Sequence, residues 1–177
     1  MVKITKDQID LEVLEYLKGC KRILDVGCGK GRFMLKSPDR IEGIDIDEGN
    51  VVECKKEGLK VRVGDVLDLP YEDSSFDCVH TSHVIEHFFP KDLYRALGEM
   101  DRVLKSGGIL VIRSPCAYDG FWGEIDHVRP YPARTIQGYL KNYSVLRRIY
   151  RRKPISRYGI FVKTGYCLIL EKQATID

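Results

Sequence analysis

Apolar and polar positions alternate along the chain in a way that marks out short buried runs separated by amphipathic stretches. Thr5 to Gln8 (TKDQ) has the spacing of a capping box, with a Thr at the N-cap and a Gln three residues on. Ile9, Val13, Leu14 and Leu17 follow at helical spacing and Gly19 offers a stop, so the pattern predicts an opening helix. Arg22 to Gly27, Arg40 to Asp45, Lys60 to Val63, Phe76 to Thr81 and Gly108 to Arg113 are short apolar or β-branched runs bounded by turn residues, and read as strands. Helical stretches separate them: a short one over Gly31–Lys36, one near Glu48–Glu57 and a longer one over Lys91–Leu104. Pro90 stands at the first-turn position of the last, and Gly107 and Gly108 end that segment.

Strands alternating with helices imply right-handed crossovers and a parallel sheet covered on both faces, hence an α/β fold. After residue 142 the pattern changes. Ser144–Arg152 and Ile160–Glu171 are consecutive strand-like runs with no helix between them, which predicts an antiparallel pair closing one sheet edge. No repeat or linker interrupts the 177 residues, a length that suits one domain. The expected division is an N-terminal helix over 1–19, a ligand-binding half over 20–114, a substrate loop over 115–134, and a last helix with antiparallel edge strands over 135–177.

Composition narrows the class. With 44% hydrophobic residues the chain is neither disordered nor low in complexity. Six cysteines are spread singly, mostly inside apolar runs, and none forms a C-x-x-C pair, so they read as reduced thiols of a cytoplasmic protein. The N-terminal stretch alternates charged and apolar residues, without the core of a signal peptide, and no apolar run reaches the ~18–20 residues of a membrane span.

The densest information lies in Ile23–Phe33, ILDVGCGKGRF. Glycines at 27, 29 and 31, directly after a strand and before a helix, let the backbone approach a ligand closely. Their amides and the helix N-terminus behind them favour a polar or negative group. The nicotinamide fingerprint G-x-G-x-x-G fits poorly, because the third glycine arrives one residue early and Arg32 occupies the expected slot. Asp45 ends the second strand, where it can accept from both hydroxyls of a ribose. Asp65 follows the third strand, where it can accept from an exocyclic amine. Three ligand-facing features at the ends of three successive strands converge on one crevice.

In order and spacing, ILDVGCGKGRF, EGIDID, VGDVLDLPYEDSSFDCVHTSHVIEHF and LKSGGILVIRSP resemble the motifs of class I S-adenosylmethionine-dependent methyltransferases, over roughly residues 20–140. The resemblance implies a doubly wound, Rossmann-like, seven-stranded and mostly parallel sheet with the last strand antiparallel and helices on both faces. It implies S-adenosyl-L-methionine as cofactor and S-adenosyl-L-homocysteine as product. Asp25, Gly27, Cys28, Gly29 and Gly31 would surround the methionine end, Asp45 the ribose, Ile46 and the Val66 amide the adenine ring, and Asp65 its amino group. Ser82 and His83 match positions between the methionine and the substrate. One departure is visible: the helix after the glycine turn has about seven residues before Pro38, which leaves the pocket more open.

Methyl transfer needs an aligned nucleophile and, where that nucleophile is a hydroxyl, a base to take its proton. His80 lies mid-strand in an apolar run and reads as structural. His83 and His87 stand four apart around a helix start, a spacing that also suits a metal pair with Glu86 adjacent, but no third ligand is defined and the expectation is no metal. His127 lies in the loop Cys116–Arg134, together with Tyr118, Trp122, Glu124 and Asp126. This aromatic and acidic loop over the crevice mouth reads as a substrate lid. His127 and His83 are therefore the candidate catalytic residues, with His127 as base or as the residue that orients one. No N/D-P-P-Y/F stretch follows the fourth strand, which argues against methylation of adenine or glutamine nitrogen.

From Arg129 to Lys163 there are ten basic residues and no acidic one, so a chain of net charge +3 hides a body of −7. Charge that protects a sheet edge explains such a run, and so does attraction of an anionic partner. The expected function is methyl transfer to an oxygen of a small or anionic acceptor by a monomer or homodimer. The alternatives are a non-catalytic cofactor-binding sensor or subunit and, less favoured, an enzyme acting on RNA.

Overall fold

The computed structural model describes residues 5–154 and 161–174, so Arg157, Tyr158 and the predicted strand start at Ile160 lie outside the described residues. Thr5 caps the first helix, α1 (Lys6–Tyr16), through the reciprocal capping box its sequence predicts. The chain continues through β1 (Ile23–Val26), β2 (Ile41–Asp45), α2 (Glu48–Lys56), β3 (Val61–Val63), β4 (Phe76–Ser82), α3 (Pro90–Val103), β5 (Leu104–Pro115), α4 (Ala133–Tyr139), β6 (Tyr143–Pro154) and β7 (Phe161–Lys172). Single 3-10 turns follow β1, β4 and β5, at Met34–Lys36, Ile85–His87 and Asp119–Phe121.

The seven strands form one sheet in the order β3-β2-β1-β4-β5-β7-β6. The first five pair in parallel, and β7 inserts antiparallel between β5 and β6. The expected antiparallel pair thus closes the edge, with basic β6 outermost. β1 is buried along its whole length, as a strand covered on both faces must be. One core layer joins Ile9 and Val13 of α1 and its C-cap Leu17 to Cys54 of α2 and Ile23 of β1. The opposite layer packs Leu93, Leu97 and Met100 of α3 and Ile136 of α4 on Leu24, Val79 and Leu110. Each fully buried Leu or Ile contributes about 1.5–3 kcal/mol. No helix among the described residues is long and apolar enough to cross a membrane.

Two local expectations are corrected. The helix expected over Gly31–Lys36 is only a 3-10 turn, because Ser37, which precedes Pro38, is pushed out of helical backbone to φ −159°. Gly107 and Gly108 do not end α3; the helix stops at Val103 and the strand begins at once. Phe76 pairs with Leu104 and Cys78 with Ile109, so residues 105–108 bulge out of β5, and Gly107 takes φ 72° there.

Candidate functional site

From β1 the chain winds one way through β2 and β3 and then returns to β4 on the other side of β1. The C-terminal ends of these strands open a crevice at the switch point, as in doubly wound sheets generally. A cavity of about 620 Å³ occupies it.

One wall is the glycine turn. Gly27, Gly29 and Gly31 adopt φ 66°, 54° and 72°, a region costly for residues with a Cβ. A Cβ on Gly27 would run into the Val84 side chain, and one on Gly31 would lie 2.5 Å from Leu59. The Gly27 and Cys28 amides donate to the Ile44 carbonyl at 2.8 and 3.1 Å, which ties the turn to β2. The Gly29 amide donates to Asp45 Oδ2 at 2.7 Å, while Asp45 Oδ1 accepts from the Asp47 amide at 3.0 Å. Oδ1 also accepts from Asn50 Nδ2 at 3.4 Å, so Asp45 joins the turn to the start of α2 and keeps a lone pair on Oδ2 for a ligand. Asp65 spends Oδ1 on the Leu67 amide at 2.9 Å. Burial, and next the Asp25 charge, pushes the Cys28 thiol far up, so it lines the cavity as a neutral hydrophobe.

Asp25, Gly27, Cys28, Gly29, Asp45, Ile46, Asp65, Val66 and Ser82 line this cavity together. Gly31 does not: it closes the turn from behind, against Leu59 and Cys54. His80 is buried as expected, stacked on Phe33 at 3.9 Å, with Nδ1 2.7 Å from Asp25 Oδ1. Asp25 can only accept while ionised, so the proton sits on Nδ1 and Nε2 is an acceptor. That Nε2 is buried with no protein partner, in a residue that lines the cavity. An orphaned acceptor beside a carboxylate suits an ammonium group, and the cradle around Gly27 leaves no room for a side chain. The carboxylates of Asp25, Asp45 and Asp65 thus line one cavity, a set of acceptors that an adenosyl amino acid could use.

The other end of the cavity carries His83, His87 and Asp126. His83 sits at φ 61°, a strained backbone for this residue, held by its amide to the Arg113 carbonyl at 3.0 Å and by Nδ1 3.1 Å from Glu86 Oε1. The Glu86 carbonyl accepts from the Val128 and Arg129 amides at 2.9 and 3.1 Å, and so fastens the 115–134 loop to the end of β4. His127 does not line the cavity; its Nδ1–H donates to the Phe121 carbonyl at 2.9 Å, and its ring lies beside His87 at 5.1 Å. Of the loop residues only Asp126 reaches the cavity. Tyr118, Glu124 and Trp122 do not, and Trp122 is 63% exposed with its ring edge on Phe121.

Sequence reasoning missed a buried ion network on the floor. Asp10 of α1, 1% exposed, accepts from Arg113 Nη1 and, at 2.5 Å, from Arg32 Nη2. Lys6, Arg32 and Arg113 all line the cavity. Partial burial, and next Arg151, Arg32 and Arg113, push the Lys6 ammonium below its ordinary value, against Asp10. The signals were there. Asp10 sits four and seven residues before Leu14 and Leu17, on the apolar face, and Arg113 stands inside an apolar strand; buried charges demand partners.

A family model described as a methyltransferase domain matches residues 24–112, half of the chain. A mouse protein named probable tRNA methyltransferase 9B is 40% identical over 93 residues, covering 51% of this chain and 21% of that protein. A Bacteroides fragilis demethylmenaquinone methyltransferase is 37% identical over 114 residues, covering 57% of this chain and 46% of that protein. The chain spans less than half the length of the curated relatives it matches. Its fold is that of a solved S-adenosylmethionine-dependent methyltransferase from Archaeoglobus fulgidus, with TM-score 0.73 and 22% identity over 95% of each chain. Glycine turn, strand-end carboxylates, sheet order and family match agree: the chain belongs to the class I S-adenosylmethionine-dependent methyltransferases.

Proposed function

We propose that the protein transfers a methyl group from S-adenosylmethionine to an oxygen of a small or anionic acceptor. The observation that carries this reading is the single cavity that runs from the glycine turn and Asp45 to His83, with Lys6, Arg32 and Arg113 along it. When bound, the cofactor supplies an electrophilic methyl group on a sulfonium, and the chain's task is alignment and proton removal. Asp25 and His80 Nε2 would receive the amino acid end, Asp45 the ribose hydroxyls and Asp65 Oδ2 the adenine amine, with Ile46 and Val66 against the ring. Ser82 lies between this end and the acceptor. His83 is the base: Glu86 holds its Nδ1–H, so Nε2 carries the lone pair that accepts the proton of the acceptor hydroxyl. His127, turned to the Phe121 carbonyl, is a positioning residue of the lid.

A second reading, RNA as acceptor, draws on the relatives named for tRNA and on basic β6. It is weaker, because Arg147 is engaged by Glu12 at 2.7 Å and Arg148 by Gln137 at 2.7 Å at the sheet edge. The test is transfer of labelled methyl groups into pools of metabolites, glycans and RNA. Labelling of a hydroxyl-bearing metabolite, abolished by His83→Ala, is expected. Labelling of RNA alone, weakening steeply with salt, would replace this reading. Binding of S-adenosylhomocysteine without transfer to any pool would leave a sensor.

A further inference from the structure

Glu86 and His87 come from the 3-10 turn after β4, and His127 from the loop forty residues on. The two amide bonds onto the Glu86 carbonyl bring them together, so that one ligand atom of each lies within 4.8 Å of the others. We propose that Glu86, His87 and His127 form a site for one divalent first-row transition-metal ion at the acceptor end of the crevice.

Three features beyond proximity support the site. Each imidazole has its Nδ1–H committed to a backbone carbonyl, His87 to Asp126 at 3.0 Å and His127 to Phe121 at 2.9 Å. That fixes the tautomer, leaves both Nε2 lone pairs free, and reproduces the support that metal-bound imidazoles receive. The Glu86 side chain is fully buried. Its partners are the His83 imidazole and the Ser114 hydroxyl at 3.3 Å, and the ion pairs among the described residues give it no Lys or Arg. A buried carboxylate without a fixed cation is costly, and a divalent ion supplies that charge. Finally, Asp126 Oδ2 lies 3.4 Å from His87 Nδ1, a second carboxylate placed behind a ligand.

Two imidazoles and one carboxylate suit Zn²⁺, Co²⁺ or Mn²⁺ better than Mg²⁺, which prefers oxygen and water. Three protein ligands leave coordination positions open. Of the three ligands only His87 lines the cavity, so the site adjoins the cavity wall behind that residue. There it fixes the Glu86 carboxylate that holds His83 Nδ1, a role that rests on the oxygen-methylation reading, whereas the site itself does not.

The experiment is equilibrium dialysis of chelator-stripped protein against Zn²⁺, Co²⁺, Mn²⁺ and Mg²⁺, with bound metal measured by mass spectrometry. One transition ion per chain is expected, with affinity falling more than about 100-fold in His127→Ala, a loop substitution outside the core. His87→Ala is the second variant, should the first disturb the loop. S-adenosylhomocysteine affinity should stay within about twofold in His127→Ala, since His127 is off the cavity. Absence of stoichiometric transition-metal binding, binding of Mg²⁺ alone, or binding that survives both substitutions would overturn the site. Stoichiometric metal with no methyl transfer to any hydroxyl would instead remove the acceptor reading and leave the site standing.

Discussion

The two ends of the crevice are built on different principles. The cofactor end is held by backbone: the Gly27 and Cys28 amides on Ile44 and the Gly29 amide on Asp45 link segments sixteen or seventeen residues apart. The acceptor end is held by contacts of long reach, Glu86 to Val128 and Arg129, His87 to Asp126, and Asp10 to Arg113, the last 103 residues apart. A backbone cradle recognises one invariant ligand and leaves a regular glycine spacing in the sequence. An assembly of side chains from distant loops sets which acceptor fits, and its pattern is spread over the whole chain.

The largest expected effect comes from breaking the cradle. In Gly27→Val, a β-branched side chain must occupy φ 66° and displace Val84, a backbone penalty of about 1–3 kcal/mol before any steric cost. Calorimetric titration with S-adenosylhomocysteine should show affinity reduced at least 100-fold, with far-ultraviolet circular dichroism retained. Affinity within threefold of the parent protein would mean that the turn is not what holds the cofactor.

The same contrast explains what the sequence made legible. Alternating strands and helices with a change after residue 142 were enough for the sheet, and they placed Asp45 and Asp65 at strand ends because these ends coincide with turn residues. His127 was harder. Its loop was recognisable as a lid, but only the two amide bonds onto Glu86 show that it meets His87 outside the cavity instead of entering it. A third ligand forty residues from the other two leaves no local spacing to read. Asp10 and Arg113 were missed because each looks like a lone charge in an apolar run until its partner is known. Pro38 signalled a short helix after the turn, and its effect on Ser37 was stronger than the apolar pattern suggested.

A middle-sized effect tests whether the adenine side is also fixed from outside the turn. Glu99 Oε2 accepts from the Leu69 amide at 2.8 Å and from Arg102 at 2.7 Å, and Arg102 donates in turn to the Leu69 and Tyr71 carbonyls. This clamp holds the 65–73 loop that carries Asp65 and Val66. The Arg102 guanidinium holds the Glu99 carboxyl below its ordinary value of 4.5, opposed by partial burial. A folded-state pKa lowered in this way adds stability that is present above 4.5 and is lost as the pH falls through the folded value. Glu99→Gln should cost about 1–2 kcal/mol in urea unfolding at neutral pH, with the gap to the parent closing under acid. A gap that persists in acid would show that packing, not charge, makes the clamp.

The smallest effect belongs to the lid surface. Trp122 is 63% exposed and touches the fold through its edge on Phe121, so Trp122→Ala should change stability by less than about 0.5 kcal/mol. It should leave S-adenosylhomocysteine affinity unchanged, because nothing on the cavity wall moves. If the loop meets the acceptor, KM for that acceptor rises several-fold while kcat holds, the pattern of binding lost equally in ground and transition states. Parallel changes in KM and cofactor affinity would show that lid and cradle are coupled through the Glu86 carbonyl, and that the two ends of the crevice act as one element.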